Sequence, residues 1–332
     1  MSPYRSLRTK RRLQSVAYGS GNFSGEEWID TVTLAPGLVI SQQSIGVANS
    51  SNGFDGYDGI LGVGPVDLTS VSVSNTNSVP TVSDNLFSQG TISEEVLGVY
   101  YVPFSDSSTG QLTFGGYDDS VITSSVNYVP LTTTFPSSYF WGIDQSITYG
   151  SDTVLASTAG VVDTGTTLIL IATGECRVEI ECRATRRSCL MSGFTDAFQT
   201  YQSKTGSTLD SATGMLSITS TQYSNLQSLT FNIGGNSYDL TPNGQIWPRS
   251  LNVAVGGSST SIYLIVGDIG TPSGSGLDFI NGYAFLYVCV HFFCDRDVLY
   301  SPPFSERYYS IYDTTNGQVG FASTAYTKST SN

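Results

Sequence analysis

Apolar residues in this chain come in short runs that alternate with polar positions, and Gly, Asn-Gly, Asp-Gly or Ser-rich clusters break the runs every ~8–12 residues. A period near two sends successive side chains to opposite faces, so the pattern predicts strands joined by tight turns, an all-β protein. Two segments read as helices instead. Asp84-Asn85-Leu86-Phe87-Ser88-Gln89 has an acidic start with Gly90 after its end, and Asp196-Ala197-Phe198-Gln199-Thr200-Tyr201 is the second. No stretch approaches the roughly 18 consecutive apolar residues that a membrane-crossing helix needs.

Composition sharpens this picture. Only 12% of the 332 residues are charged, while Ser, Thr, Gly, Tyr and Phe are abundant, so hydroxyl and amide groups must cover much of the surface. That usage favours strands and turns over helices. The length suffices for two lobes of roughly 100–200 residues each. The formal charge is −13, and the cations are unevenly spread. Five of the 14 Lys and Arg fall in residues 1–14 and four more between Gly174 and Thr195. So acidic a remainder excludes nucleic acid and anionic membrane as partners, since both require clustered cations.

The chemistry is concentrated in one triplet. Asp163-Thr164-Gly165 follows the apolar Gly160-Val161-Val162 and precedes Thr166-Thr167-Leu168-Ile169-Leu170-Ile171. A carboxylate on a Thr-Gly turn between two apolar β-type runs is held at the end of buried strands, a position suited to acid-base work. Taken alone, such a triplet is equally a turn with an Asx-type cap.

Long stretches on either side decide between these, because they resemble the pepsin-like aspartic proteases, and the acid proteases secreted by fungi in particular. Val16-Ala17-Tyr18-Gly19-Ser20-Gly21-Asn22-Phe23-Ser24-Gly25 is similar to the family's flap hairpin. Gln43 to Ala48 and Asp58-Gly59-Ile60-Leu61-Gly62-Val63-Gly64 resemble the segment behind the amino-terminal active-site loop. Trp141-Gly142-Ile143 through Thr167 resembles the second catalytic loop. The carboxy-terminal blocks are Ile280 to Leu286, Arg307 to Asp313 and Val319 to Ala322. The resemblance runs from Val16 to Ala325.

It implies a bilobal, all-β fold and cleavage of peptide bonds at acidic pH by a water activated between two aspartates, with no metal and no organic cofactor. Asp163 would be one of the pair. Thr164 would brace the catalytic loops, Gly165 would leave room for substrate backbone, and Thr166 would hydrogen-bond the outer carboxylate oxygen of Asp163. Tyr18, Gly19 and Ser20 would form the flap tip, and Tyr57 and Phe140 the subsite walls. The expected partners are protein or peptide substrates, with large apolar side chains flanking the cleaved bond. The chain is expected to act as a monomer, and the family's setting is extracellular. Asn22-Phe23-Ser24 and Asn49-Ser50-Ser51 match the N-glycosylation pattern.

Several features depart from the family pattern. A first Asp-Thr-Gly lies in relatives several tens of residues before the flap, whereas Met1 to Gln14 alone precede it here, with no signal-peptide core. The 332 residues hold one Asp-Thr-Gly and no Asp-Ser-Gly. The expectation is therefore a non-family leader (1–14), an incomplete amino-terminal lobe with the flap (15–130), a carboxy-terminal lobe (131–325) and a short tail (326–332). Within the second lobe, segments 174–195 and 287–305 interrupt family-like text and contain all five cysteines, Cys176, Cys182, Cys189, Cys289 and Cys294, and the single histidine, His291. Their spacings do not suit a metal site. A disulfide and a pair of translated introns are the other two readings, and the second accounts for both the composition and the unmatched cysteines. Three other readings of the whole chain are a non-catalytic peptide-binding relative, a carbohydrate-binding β-sandwich, and two copies sharing a dyad through Asp163.

Overall fold

The computed structural model describes residues 8–18, 21–54, 58–70, 72–74, 76–102, 109–173, 196–282 and 307–330. In chain order its strands are β1 (Arg8–Tyr18), β2 (Gly21–Ala35), β3 (Leu38–Asn52), β4 (Val96–Tyr100), β5 (Gln111–Phe114) and β6 (Asn127–Pro130). Then come β7 (Gly142–Tyr149), β8 (Asp152–Val162), β9 (Ile169–Thr173), β10 (Thr208–Leu209), β11 (Leu216–Ile218) and β12 (Leu229–Ile233). The last six are β13 (Asn236–Leu240), β14 (Ile262–Leu264), β15 (Val266–Pro272), β16 (Phe279–Asn281), β17 (Tyr308–Asp313) and β18 (Gln318–Ser323). Among the described residues three α-helices accompany them: α1 (Val82–Ser88), α2 (Ala197–Thr205) and α3 (Ser220–Ser224).

The all-β expectation holds, and among the described residues the strands gather into four sheets. Strands β1, β2 and β3 make an antiparallel meander, with Tyr18 paired to Gly21 at the end of the β1–β2 ladder. A five-stranded sheet, β5-β4-β17-β18-β6, joins residues from the first half of the chain to its carboxy-terminal hairpin, with Ile311 opposite Gly98. The seven-stranded sheet, ordered β13-β12-β7-β8-β16-β9-β15, carries the site. Strand β12 shows why it forms. Leu229, Phe231 and Ile233 are fully buried while Thr230 and Asn232 between them are not, the period-two pattern of a strand with one face in the core. Strand β8 departs from that period: Ala159, Gly160, Val161 and Val162 are all buried, since this end is covered on both faces.

Short strand β16 sits between β8 and β9, parallel to the first and antiparallel to the second, with Ile280 opposite both Val161 and Leu170. Close approach is required on each side. A Cβ at Gly160 would collide with the Phe279 carbonyl oxygen, and one at Gly282 with the Leu168 and Thr166 carbonyl oxygens.

Both expected helices are present. Asp196 caps α2, accepting the Gln199 N–H at 2.8 Å, and Gly206 ends it at φ 68°. The helix buries Ala197 and Tyr201, whose ring meets Tyr149 edge-on at 5.8 Å. Helix α1 begins before Asp84, because Thr81 is its N-cap. The Thr81 hydroxyl accepts the Asp84 N–H, and the Asp84 carboxylate accepts the Thr81 N–H at 2.6 Å, a capping box. The same Asp84 meets Glu95 just before β4. Burial, then the hydrogen bond and charge of Asp84, push the Glu95 carboxyl up to about 7 from an ordinary 4.5.

Glu95 therefore keeps, in the folded chain, a proton that the unfolded chain releases above about 4.5. Its contribution to stability is complete below that pH, declines as pH rises to about 7, and is constant beyond. Thermal melts across this window should show Tm falling as pH rises, with a shallower fall for Glu95→Gln. An unchanged slope in the variant would refute the assignment.

Candidate active site

The turn after β8 orients one carboxylate with its own backbone. Asp163 donates its N–H to the Asn281 carbonyl on β16 at 3.1 Å, so the residue is fastened to the neighbouring strand. Its Oδ1 accepts the Gly165 N–H at 2.8 Å, and its Oδ2 accepts the Thr166 hydroxyl at 2.5 Å. The Thr166 N–H closes the turn on the Asp163 carbonyl at 3.3 Å. Each carboxylate oxygen has one donor from the turn and keeps lone pairs for something else, and Asp163 itself is only half-buried. Such a group is fixed in direction yet reachable by water, the arrangement a general base needs. The Gly165 position is tight: a Cβ there would stand 3.2 Å from Asp163 Oδ1.

Two aromatic residues behind the loop were not singled out from the sequence. Tyr312 on β17 is buried, and burial, with the charge of Asp163 adding to it, raises its phenol above the ordinary range. Its ring lies 5.2 Å from that of Trp141, whose indole N–H donates to the Val63 carbonyl at 3.1 Å. Tyr312, Trp141 and Val63 thus connect β17 to the Asp58–Gly64 segment. A small cleft lined by Val63, Gly64, Pro65, Trp141 and Tyr312 among others lies on that connection. Asp163 does not line it, so the cleft is distinct from the carboxylate's own surroundings.

Of the residues expected from the sequence, Asp163, Gly165 and Thr166 come together in one hydrogen-bonded turn, with half-buried Thr164 between them. Tyr18 ends β1 with 41% of its surface exposed and packs edge-on against Phe54 at 5.5 Å. Phe54 was not anticipated, and the Gly-rich text around it gave no periodic signal. Phe140 follows the turn at Ser137–Tyr139 and stands 37% exposed beside Trp141. Gly19, Ser20 and Tyr57 lie outside the described residues, as do segments 174–195 and 287–305 with the five cysteines and His291. Among the described residues no group of three or more His, Cys, Asp or Glu could hold a metal, and no helix is long and apolar enough to cross a membrane.

This geometry agrees with what the chain is similar to. The family model for eukaryotic aspartyl proteases matches residues 2–287. The chain belongs to the eukaryotic aspartyl protease family. Polyporopepsin of Irpex lacteus is 53% identical over 323 residues, covering 96% of this chain and 83% of that protein. Rhizopuspepsin-1 of Rhizopus niveus is 32% identical over 264 residues, 78% of this chain and 59% of that one. The crystal structure of the aspartic proteinase from Irpex lacteus superposes with a TM-score of 0.83 at 51% identity, covering 98% of this chain and 85% of that one. The protease therefore has the pepsin-like bilobal fold, built mostly of strands.

In this aspartyl protease the Thr166 hydroxyl is the side-chain donor to Asp163 on the turn, which makes it the simplest position to test. Thr166→Val keeps the shape and removes the donor, and should cost about 1 kcal/mol in urea unfolding, while Thr166→Ser should stay within about 0.5 kcal/mol. Equal effects of the two would mean that the hydroxyl is not holding the turn.

Proposed function

We propose that this chain contributes Asp163 as one of the two carboxylates of an endopeptidase working at acidic pH. The observation that carries the reading is the Asp163 turn itself: a carboxylate at the end of a buried strand, each oxygen held by one donor of the Asp-Thr-Gly loop and still open to a water. In acid-type peptide hydrolysis one carboxylate takes the proton of a water as its oxygen attacks the scissile carbonyl carbon. The other, protonated, donates to the carbonyl oxygen, and the tetrahedral intermediate then collapses with proton transfer to the departing amine. Asp163 is assigned to orienting and activating the water. Thr164 and Thr166 brace its loop, and Gly165 leaves room for a peptide backbone. The flap at Tyr18, Gly19 and Ser20 closes over substrate and excludes bulk water. Tyr57 and Phe140 line subsites for large apolar side chains.

The 332 residues hold a single Asp-Thr-Gly, so the second carboxylate has to reach Asp163 from elsewhere. Groups that act as a unit lose nearly all their rate when one is removed, and the chain by itself is therefore assigned little turnover. The single motif also favours a second reading, a relative that binds peptides in the cleft without cutting them. In either case the polypeptide is organised as lobes at 15–130 and 131–325, interrupted by 174–195 and 287–305, and the low density of cations outside 1–14 and 174–195 suits an acidic, extracellular setting.

The test is hydrolysis of an unstructured protein at acidic pH by this chain extended with a preceding segment that carries a second Asp-Thr-Gly. Asp163→Asn should lower kcat by roughly a thousandfold or more, and a metal chelator should have no effect. Turnover that survives Asp163→Asn would end the assignment, and a protein that binds peptides without turnover would establish the second reading.

A further inference from the structure

A buried pair of amides lies directly behind the catalytic-type turn. Asn281 is fully buried and Gln145 is 1% exposed. The Gln145 amide donates to Asn281 Oδ1 at 2.9 Å, and the Asn281 amide donates to Gln145 Oε1 at 2.8 Å. Strand β7, which carries Gln145, is separated from β16 by β8, so this reciprocal bond ties together three strands of which the middle one ends in Asp163. Asn281 is also the residue whose carbonyl receives the Asp163 N–H.

Ile143 and Ile147 stand two residues either side of Gln145 on β7, and Phe279 stands two before Asn281 on β16, all three fully buried. Two amides in such a place surrender their water hydrogen bonds and recover them only from one another, so an apolar pair of similar volume would be the cheaper filling. What the amides add is direction: two antiparallel N–H···O bonds between planar groups fix translation and rotation, where packed methyl groups would tolerate sliding. The strand that needs this is short. Three-residue β16 has polar anchors at both ends, the amide pair at Asn281 and, just before Phe279, the fully buried Asp278. The Asp278 carboxylate accepts the Gly274 N–H at 2.6 Å, the Ser275 N–H at 3.0 Å and the Thr158 hydroxyl at 2.8 Å.

We propose that Gln145 and Asn281 are positioning residues for Asp163. Their amide pair fixes the carbonyl that holds the Asp163 N–H, and thereby the height and tilt of the carboxylate above the sheet. The consequence for catalysis rests on the reading of Asp163 given above, whereas the positioning itself can be read without substrate.

Hydrogen exchange at the Asp163 amide is the direct readout, with the Phe231 amide on β12 reporting the stability of the sheet as a whole. Single substitutions leave one buried amide unpaired and can fail to fold, so the informative proteins are the double variant Gln145→Leu/Asn281→Leu and the exchanged pair Gln145→Asn/Asn281→Gln. In the double variant Phe231 should keep its protection while Asp163 exchanges about tenfold faster. The exchanged pair should restore Asp163 to within about threefold of the parent. In the extended, turnover-competent protein the double variant should lose kcat about tenfold at unchanged KM. Unchanged exchange at Asp163, or equal acceleration at Asp163 and Phe231, overturns the proposal. Accelerated exchange at Asp163 in a protein that never hydrolyses peptides would support the positioning role while refuting the catalytic reading.

Discussion

The site depends on one short strand lying in one place. Strand β16 is inserted between β8 and β9, and its Asn281 carbonyl accepts the Asp163 N–H at 3.1 Å. Without that acceptor the residues after Val162 would leave the sheet with an unpaired N–H, and the carboxylate would have no fixed origin. Glycines at 160 and 282 permit the approach, since a side chain at either would meet a backbone carbonyl of the neighbouring segment. The turn then finishes the work locally, with Gly165 and Thr166 donating one bond to each carboxylate oxygen. Fold and chemistry are thus joined through main-chain hydrogen bonds, which survive changes of side chain better than side-chain contacts do.

Around this centre the protein fixes its loops with buried polar groups in places where a larger apolar core would be expected. Asp278 gathers the Gly274–Ser275 turn and Thr158, while Tyr201 inside α2 donates to Gln245 at 3.0 Å. Asp313, 3% exposed, accepts the Asn316 N–H at 2.9 Å and the Gln318 amide at 2.8 Å to shape the β17–β18 turn. These groups are neutral donors meeting carboxylates and amides, in keeping with a chain that has few cations to spend on ion pairs. Their geometry is directional, so they define where loops stand at a cost in desolvation that simple packing would avoid.

The period-two runs made the strands legible, and the local chemistry around Asp163 made the turn legible, because every bond within it spans three residues or fewer. The Asp196 cap and the terminal glycine of α2 were likewise local. The start of α1 was set too late, since its acidic residue is the fourth member of a capping box that begins at Thr81. The one-turn helix α3 carries the same signal in Thr219 and Gln222. Gln145 and Asn281, 136 positions apart, could not be paired from the sequence at all, and neither could Tyr312 with Trp141. Long-range partners of this kind leave no periodic trace, and the resemblance to a family identifies only the residues its motif shares.

On the assignment proposed above, Asp163 is one half of a two-carboxylate machine and does little alone. The most direct test of that assignment is the rate of peptide-bond hydrolysis at acidic pH by the 332-residue chain, measured beside the same chain preceded by a segment bearing a second Asp-Thr-Gly. Background cleavage by the first and turnover faster by roughly a thousandfold or more in the second are the predicted results. Equal rates in the two proteins would contradict the account.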